Sequence, residues 1–140
     1  MTEEGANGGC ECGAVRYAVQ GPLRPIVGCH CTQCRRITGH FLAATAARLS
    51  NFKLTTDTGL KWYDSSSLAR RGFCEVCGST LFWAPNGRDY LSIAAGSLDD
   101  SAGLRMVCHI HVADKGDYYE IEPGVPQSPD GIFSVPLPDA

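Results

Sequence analysis

The stretch Gly9-Cys10-Glu11-Cys12-Gly13, read together with Phe73-Cys74-Glu75-Val76-Cys77-Gly78, decides how this chain folds. Each is a close cysteine pair followed at once by glycine. A tight knuckle needs a residue at ease with positive φ, so that backbone N–H groups can turn toward the sulfurs. Four thiolates from two such turns can close a tetrahedral zinc site with no position open to substrate. Such a site would tie the N-terminal strand to a hairpin in mid-chain. Its binding free energy, on the order of 10 kcal/mol, would count as folding energy. Cys10, Cys12, Cys74 and Cys77 are therefore the candidate ligands of a structural zinc. Cys74 and Cys77 also have the spacing of a thiol-exchange centre, but no βαβ pattern surrounds them.

A second constellation lies between these pairs. Cys29-His30-Cys31-Thr32-Gln33-Cys34 puts three thiols within one short loop. Three protein ligands leave a fourth position for water or substrate, the pattern of a catalytic zinc. A histidine in the fourth place would make the site structural instead. His30, His40, His109 and His111 are the candidates, and His30, caught between two ligands, would point away. Zinc with three thiolates carries a local charge of about -1. That makes a poor generator of hydroxide and a better holder of a soft ligand such as a thiol. Arg35 and Arg36 follow Cys34 directly. They can offset the excess charge and hold a substrate carboxylate, or simply sit on a solvated turn. Cys108 is left over and reads as a small buried hydrophobe in a strand. His109 and His111 alternate with Cys108 and Ile110, which puts both imidazoles on one strand face.

Composition bounds the rest. At 140 residues the chain fits one domain. A hydrophobic fraction of 44% against 19% charged argues against disorder. The net charge of -3 excludes a strongly basic nucleic-acid binder. The longest apolar run, residues 41–47, falls far short of the ~20 residues that a bilayer needs. The opening MTEEGANGG is acidic and polar, which predicts no export signal and a cytoplasmic protein. In that compartment eight cysteines favour metal over disulfides.

Short apolar runs dominate the chain. Val15, Tyr17 and Val19 alternate with Ala14, Arg16 and Ala18, a strand period. Residues 25–27, 52–55, 60–63, 106–112 and 118–121 are further strand candidates. Residues 41–47 are strand or buried segment. Residues 81–83 and 90–94 flank Pro85-Asn86-Gly87 and read as a hairpin. The expectation is one mainly β domain over residues 1–140. Residues 1–7 form a flexible lead-in, and the Pro- and Gly-rich residues 123–140 form a tail that wraps the surface.

Three blocks in order carry a family resemblance: residues 9–17, from Gly9 to Tyr17; residues 29–36, from Cys29 to Arg36; and residues 73–79, from Phe73 to Ser79. Ala95-Gly96-Ser97-Leu98-Asp99, then His109-Ile110 with Lys115 and Tyr118, extend the likeness. Over roughly residues 8–126 the chain resembles the glutathione-dependent formaldehyde-activating enzymes, also called the centromere-protein-V family. The resemblance implies an Mss4-like fold of coiled antiparallel sheets with zinc knuckles. It implies two zinc ions per chain: a structural one on Cys10, Cys12, Cys74 and Cys77, and a catalytic one on Cys29, Cys31 and Cys34. It also implies a carbon–sulfur lyase that joins glutathione and formaldehyde to S-hydroxymethylglutathione, or reverses that step. Tyr118 and Tyr119 stand where many relatives have Trp, and Cys108 lies outside the family set. Two other readings use the same residues. One is a binding module with two structural zincs and no catalysis. The other is thiol redox chemistry, which needs a metal-free cysteine of low pKa, and Cys108 alone is left for it.

Overall fold

The computed structural model describes residues 5–101, 103–131 and 135–138. The chain is mostly β, with 40% strand and 12% helix, and its sheets do not close. The strands are β1 (Ala6–Gly9), β2 (Arg16–Val19), β3 (Ile26–Cys29), β4 (Leu42–Arg48), β5 (Phe52–Thr56), β6 (Leu60–Tyr63), β7 (Ala69–Cys74), β8 (Thr80–Pro85), β9 (Tyr90–Ala94) and β10 (Met106–Ile110). Among the described residues one α-helix, α1 (Thr32–Thr38), follows β3. No helix of the described residues is long and apolar enough to cross a membrane.

Two sheets divide the strands. A three-stranded sheet runs β1-β2-β5, and a seven-stranded sheet runs β10-β3-β4-β9-β8-β7-β6. All pairs are antiparallel except β10 with β3, which are parallel. That departs from a wholly antiparallel expectation. A parallel pair needs a long crossover, and here β4 to β9 all intervene in the chain. The expected hairpin forms, with Phe82 opposite Ile93 and Trp83 opposite Ser92.

The alternation read at residues 15–19 is the inner face of the small sheet. Val15, Tyr17 and Val19 are all buried. They pack in one cluster with Leu81, Phe82, Leu91 and Ile93 of the large sheet. The Tyr17 ring meets Phe82 edge-on at 5.5 Å and stacks on Phe52 at 5.7 Å. Cys10 and Cys74 belong to this same cluster. The first cysteine constellation therefore sits at the seam where the sheets meet.

Four local readings change. Residues 6–9, expected in a lead-in or its margin, form β1 and pair with β2. Ala-Asn-Gly-Gly has little β propensity, so pairing with a buried neighbour decides the matter. Residues 1–4 lie outside the described residues. Residues 69–74 form β7 although their Arg-Arg-Gly interior hides the strand pattern. Residues 118–121 are not a strand; the Tyr118 and Tyr119 rings pack on His40 instead. Residues 32–38 are helical. Pro126 and Ser128 exchange backbone hydrogen bonds with His109, and Asp130 accepts one from His111, so the tail covers the outer edge of β10.

Gly28 shows how tightly β10 and β3 approach. A Cβ at this position would lie 2.6 Å from His109 Nδ1 and 3.3 Å from a Phe41 ring carbon. Both neighbours are fixed, so overpacking must move backbone or break a buried hydrogen bond. Gly28→Ala is expected to cost about 1–3 kcal/mol, read as a lower urea midpoint at unchanged slope. An unchanged midpoint would show that the parallel pair is loosely packed.

Candidate metal centres and cavity

All eight cysteines are free thiols. The sulfurs of Cys10, Cys12, Cys74 and Cys77 all lie within 4.8 Å of one another. Cys10 to Cys12 is 3.7 Å and Cys12 to Cys74 is 3.8 Å. Sulfurs placed tetrahedrally at ~2.3 Å from a zinc ion stand about 3.8 Å apart, whereas disulfide sulfurs are ~2.05 Å apart. The donor set and its spacing therefore fit a metal. The two knuckles are built as their glycines require: Gly13 has φ +88° and Gly78 has φ +82°. Backbone N–H groups turn inward, that of Val15 donating to Cys10 Sγ at 3.2 Å and that of Cys77 to Cys74 Sγ at 3.5 Å. The Ser79 hydroxyl lies 3.2 Å from Cys77 Sγ. Hydrogen bonds from the Ser79 side chain, then its backbone, hold the Cys77 thiol down to about 5.

The second constellation is assembled at the β3–α1 junction. Cys29 ends β3, Cys31 caps α1, and Cys34 lies in its first turn. Their sulfurs also lie within 4.8 Å of one another, and among the described residues no fourth Cys, His, Asp or Glu joins them. The expected loop is thus partly a helix, because Cys31 Sγ accepts the Cys34 backbone N–H at 3.3 Å as a serine cap would. Hydrogen bonds from Cys29, then Cys34, push the Cys31 thiol far down, while the same contact with Cys31 pushes Cys29 far up. Three thiols this close cannot all ionise without a cation to offset their mutual repulsion.

A cavity of about 470 Å³ opens on this trio, within the ~300–1,000 Å³ range of small-molecule sites. Cys29, Cys31 and Cys34 line it, with Arg24, Arg71 and Trp83 among the other walls. Arg35 and Arg36 do not line it. They lie beyond Cys34 on α1, Arg35 half-buried and Arg36 exposed. Arg71 instead reaches the sulfurs from β7. Its Nη2 donates to Cys34 Sγ at 3.4 Å, and its Nε donates to Gln33 Oε1 at 2.9 Å. Gln33 is anchored in turn on the Ser65 carbonyl at 3.0 Å. The sequence signal for Arg71 was weak: Ala69, Arg71 and Phe73 share one face at period two, and nothing in the chain order says that Cys34 faces them.

The histidines take other work. His30 points away from the sulfurs, as its position between two ligands implies, and is fully buried. Burial, then the neighbouring His109, lowers it to about 4, so the ring is neutral. Its Nε2 is 2.8 Å from His109 Nδ1, and its Nδ1 meets the Tyr119 hydroxyl. His109 Nε2 lies 3.3 Å from the Glu122 carboxylate. One assignment satisfies every group: Tyr119 O–H donates to His30, His30 to His109, and His109 to Glu122. His109 and His111 do not share a face. His109 lies in β10, whereas His111 stands past its end at φ +56° and lines the cavity. It is the one non-glycine with positive φ among the described residues. Cys108 is buried, and burial raises its thiol, the opposite of an activated redox cysteine.

Comparison with known proteins now bears on this arrangement. An uncharacterized lyase of Schizosaccharomyces pombe is 29% identical over 115 residues, covering 81% of this chain and 82% of the relative. A crystal structure of a Rhodobacter sphaeroides protein has a TM-score of 0.56 and 25% identity, covering 69% of this chain and 91% of that one. Residues 5–114 match the family described as glutathione-dependent formaldehyde-activating enzyme. That match takes in both cysteine constellations and every strand of both sheets, and the chain belongs to the glutathione-dependent formaldehyde-activating enzyme family.

Proposed function

We propose that the protein is a zinc-dependent carbon–sulfur lyase, acting on glutathione or a similar thiol and on formaldehyde or another small aldehyde. Family membership and the lyase name of the yeast relative support the class of reaction. The observation that carries the reading is the open trio: three sulfurs converge beside a cavity, and among the described residues no fourth Cys, His, Asp or Glu is grouped with them. In this reading Cys10, Cys12, Cys74 and Cys77 hold one zinc for structure. Cys29, Cys31 and Cys34 hold a second, in a reducing, cytoplasmic setting.

The reaction joins the thiol sulfur to the carbonyl carbon, and the thiol proton ends on the carbonyl oxygen. A zinc ion at the trio supplies a lowered thiol pKa and a fixed position for sulfur. The chain's own residues supply the rest. Gln33 and Arg71 hold Cys34 in place. Leu42, Trp83 and Ile110 give the cavity part of its apolar wall. Uncatalysed addition of a thiol to formaldehyde is fast, so a modest acceleration suffices. Two-dimensional exchange NMR on an equilibrium mixture of glutathione and formaldehyde reads the interconversion directly. Catalytic amounts of the zinc-loaded protein are expected to raise that rate at least tenfold. An unchanged rate, with two inert zincs per chain, would favour a binding module instead.

A further inference from the structure

The geometry points to Arg71 as the residue that selects a carboxylate-bearing thiol, by offering its Nη1 to a ligand anion beside the three sulfurs. The inference rests on the thiol reading above and adds to it the specificity-determining contact.

Three observations carry it. First, the Arg71 fork is committed on two of its three nitrogens. Nε is on Gln33 and Nη2 is on Cys34, while Nη1 is buried with no hydrogen-bond partner. A buried guanidinium nitrogen left unpaired is costly, so a site that keeps one is suited to a ligand that fills it. Second, the residue is held rigid: Arg71 is only 6% exposed, and its Gln33 partner is tied to the Ser65 carbonyl. A preorganised guanidinium loses little freedom when it receives a carboxylate. Third, the charge balance favours an anion. Arg24 and Arg71 line the cavity, and no Asp or Glu does so among the described residues. Three thiolates with a divalent cation leave about -1, which the two guanidiniums exceed. Arg24 is the weaker candidate: its Nε and Nη2 donate to the Pro25 and Ala44 carbonyls, and none of its nitrogens is left both buried and unpaired as Arg71 Nη1 is.

The test is a binding titration by calorimetry on the zinc-loaded protein, with three probes. Glutathione carries thiol and carboxylates, S-methylglutathione carries carboxylates without a free thiol, and glutathione diethyl ester carries the thiol without carboxylates. The wild type is expected to bind the diester at least tenfold more weakly than glutathione, and to retain measurable affinity for S-methylglutathione. Measured per bound zinc, Arg71→Met is expected to weaken both acids at least tenfold and the diester less than threefold. Arg71→Lys keeps a charge beside Cys34 but cannot span three partners. It is expected to fold as the wild type does, and to lose several-fold on the acids alone. Equal losses on acids and diester would overturn the inference, because Arg71 would then act only through Cys34. A wild type that binds diester and acid alike would overturn it as well, while leaving the lyase reading standing. Acid-selective binding that Arg71→Met abolishes, with no acceleration of thiol–aldehyde exchange, would sink the lyase reading and support the Arg71 contact.

Discussion

Cys31→Ser is expected to reduce zinc from two per chain to one and to return thiol–aldehyde exchange to within about twofold of its uncatalysed rate. The fold should survive, for a local reason. Cys31 is the cap of α1, and its sulfur accepts the Cys34 N–H. Serine is among the best residues at that position, so the helix keeps its cap while the trio loses a thiolate. Cys31 Sγ is one of three sulfurs that converge at the site, and a neutral hydroxyl cannot replace a thiolate ligand. Two sulfurs and a hydroxyl make a much weaker site. Elemental analysis, exchange NMR and a thermal melt on one sample check the three parts together. Full activity in a chain with a single zinc would refute a catalytic role for the trio.

Cys74→Ser makes the same chemical change and should have the opposite consequence. Cys74 is fully buried, belongs to the main hydrophobic cluster, and ends the strand β7 that pairs with both β6 and β8. Its three partners include Cys10, just beyond β1, so the cluster joins the small sheet to the large one. A structural zinc contributes about 10 kcal/mol or more, against a total stability of ~5–15 kcal/mol for a domain. Losing half of that contribution would bring the chain near its unfolding threshold. The expected result is a melting temperature at least ~15 °C lower, or no cooperative transition at all, with activity lost because the scaffold is lost. A variant that keeps two zincs and its melting temperature would show that the four sulfurs do not hold the sheets together. The pair of variants separates the two constellations: one loses function with its fold intact, the other loses its fold.

The knuckles were legible because their chemistry is local. A glycine directly after a cysteine pair states its own φ, and Gly13 and Gly78 both adopt it. The alternation at Val15, Tyr17 and Val19 was legible for the same kind of reason, since a strand with one buried face writes its period into the chain. Strand β7 was not, because Arg70, Arg71 and Gly72 carry no apolar period and their burial is set by neighbours on both sides. The carboxylate-binding role first placed on Arg35 and Arg36, for their adjacency to Cys34, passes in our inference to a residue 37 positions away.

By itself, then, the sequence determined the β class, the partition of seven cysteines into two metal-fitting sets, and the family. Each of these is written in spacing and residue type over short stretches. Only the tertiary structure decided which arginine meets the sulfurs, where the histidines point, and what lines the cavity. Those depend on the chain passing from β9 over β4 and β3 so that β10 lies parallel to β3, and on β7 facing α1. Contacts between distant segments are set by the sum of all packing and hydrogen bonding, and no local pattern encodes that sum.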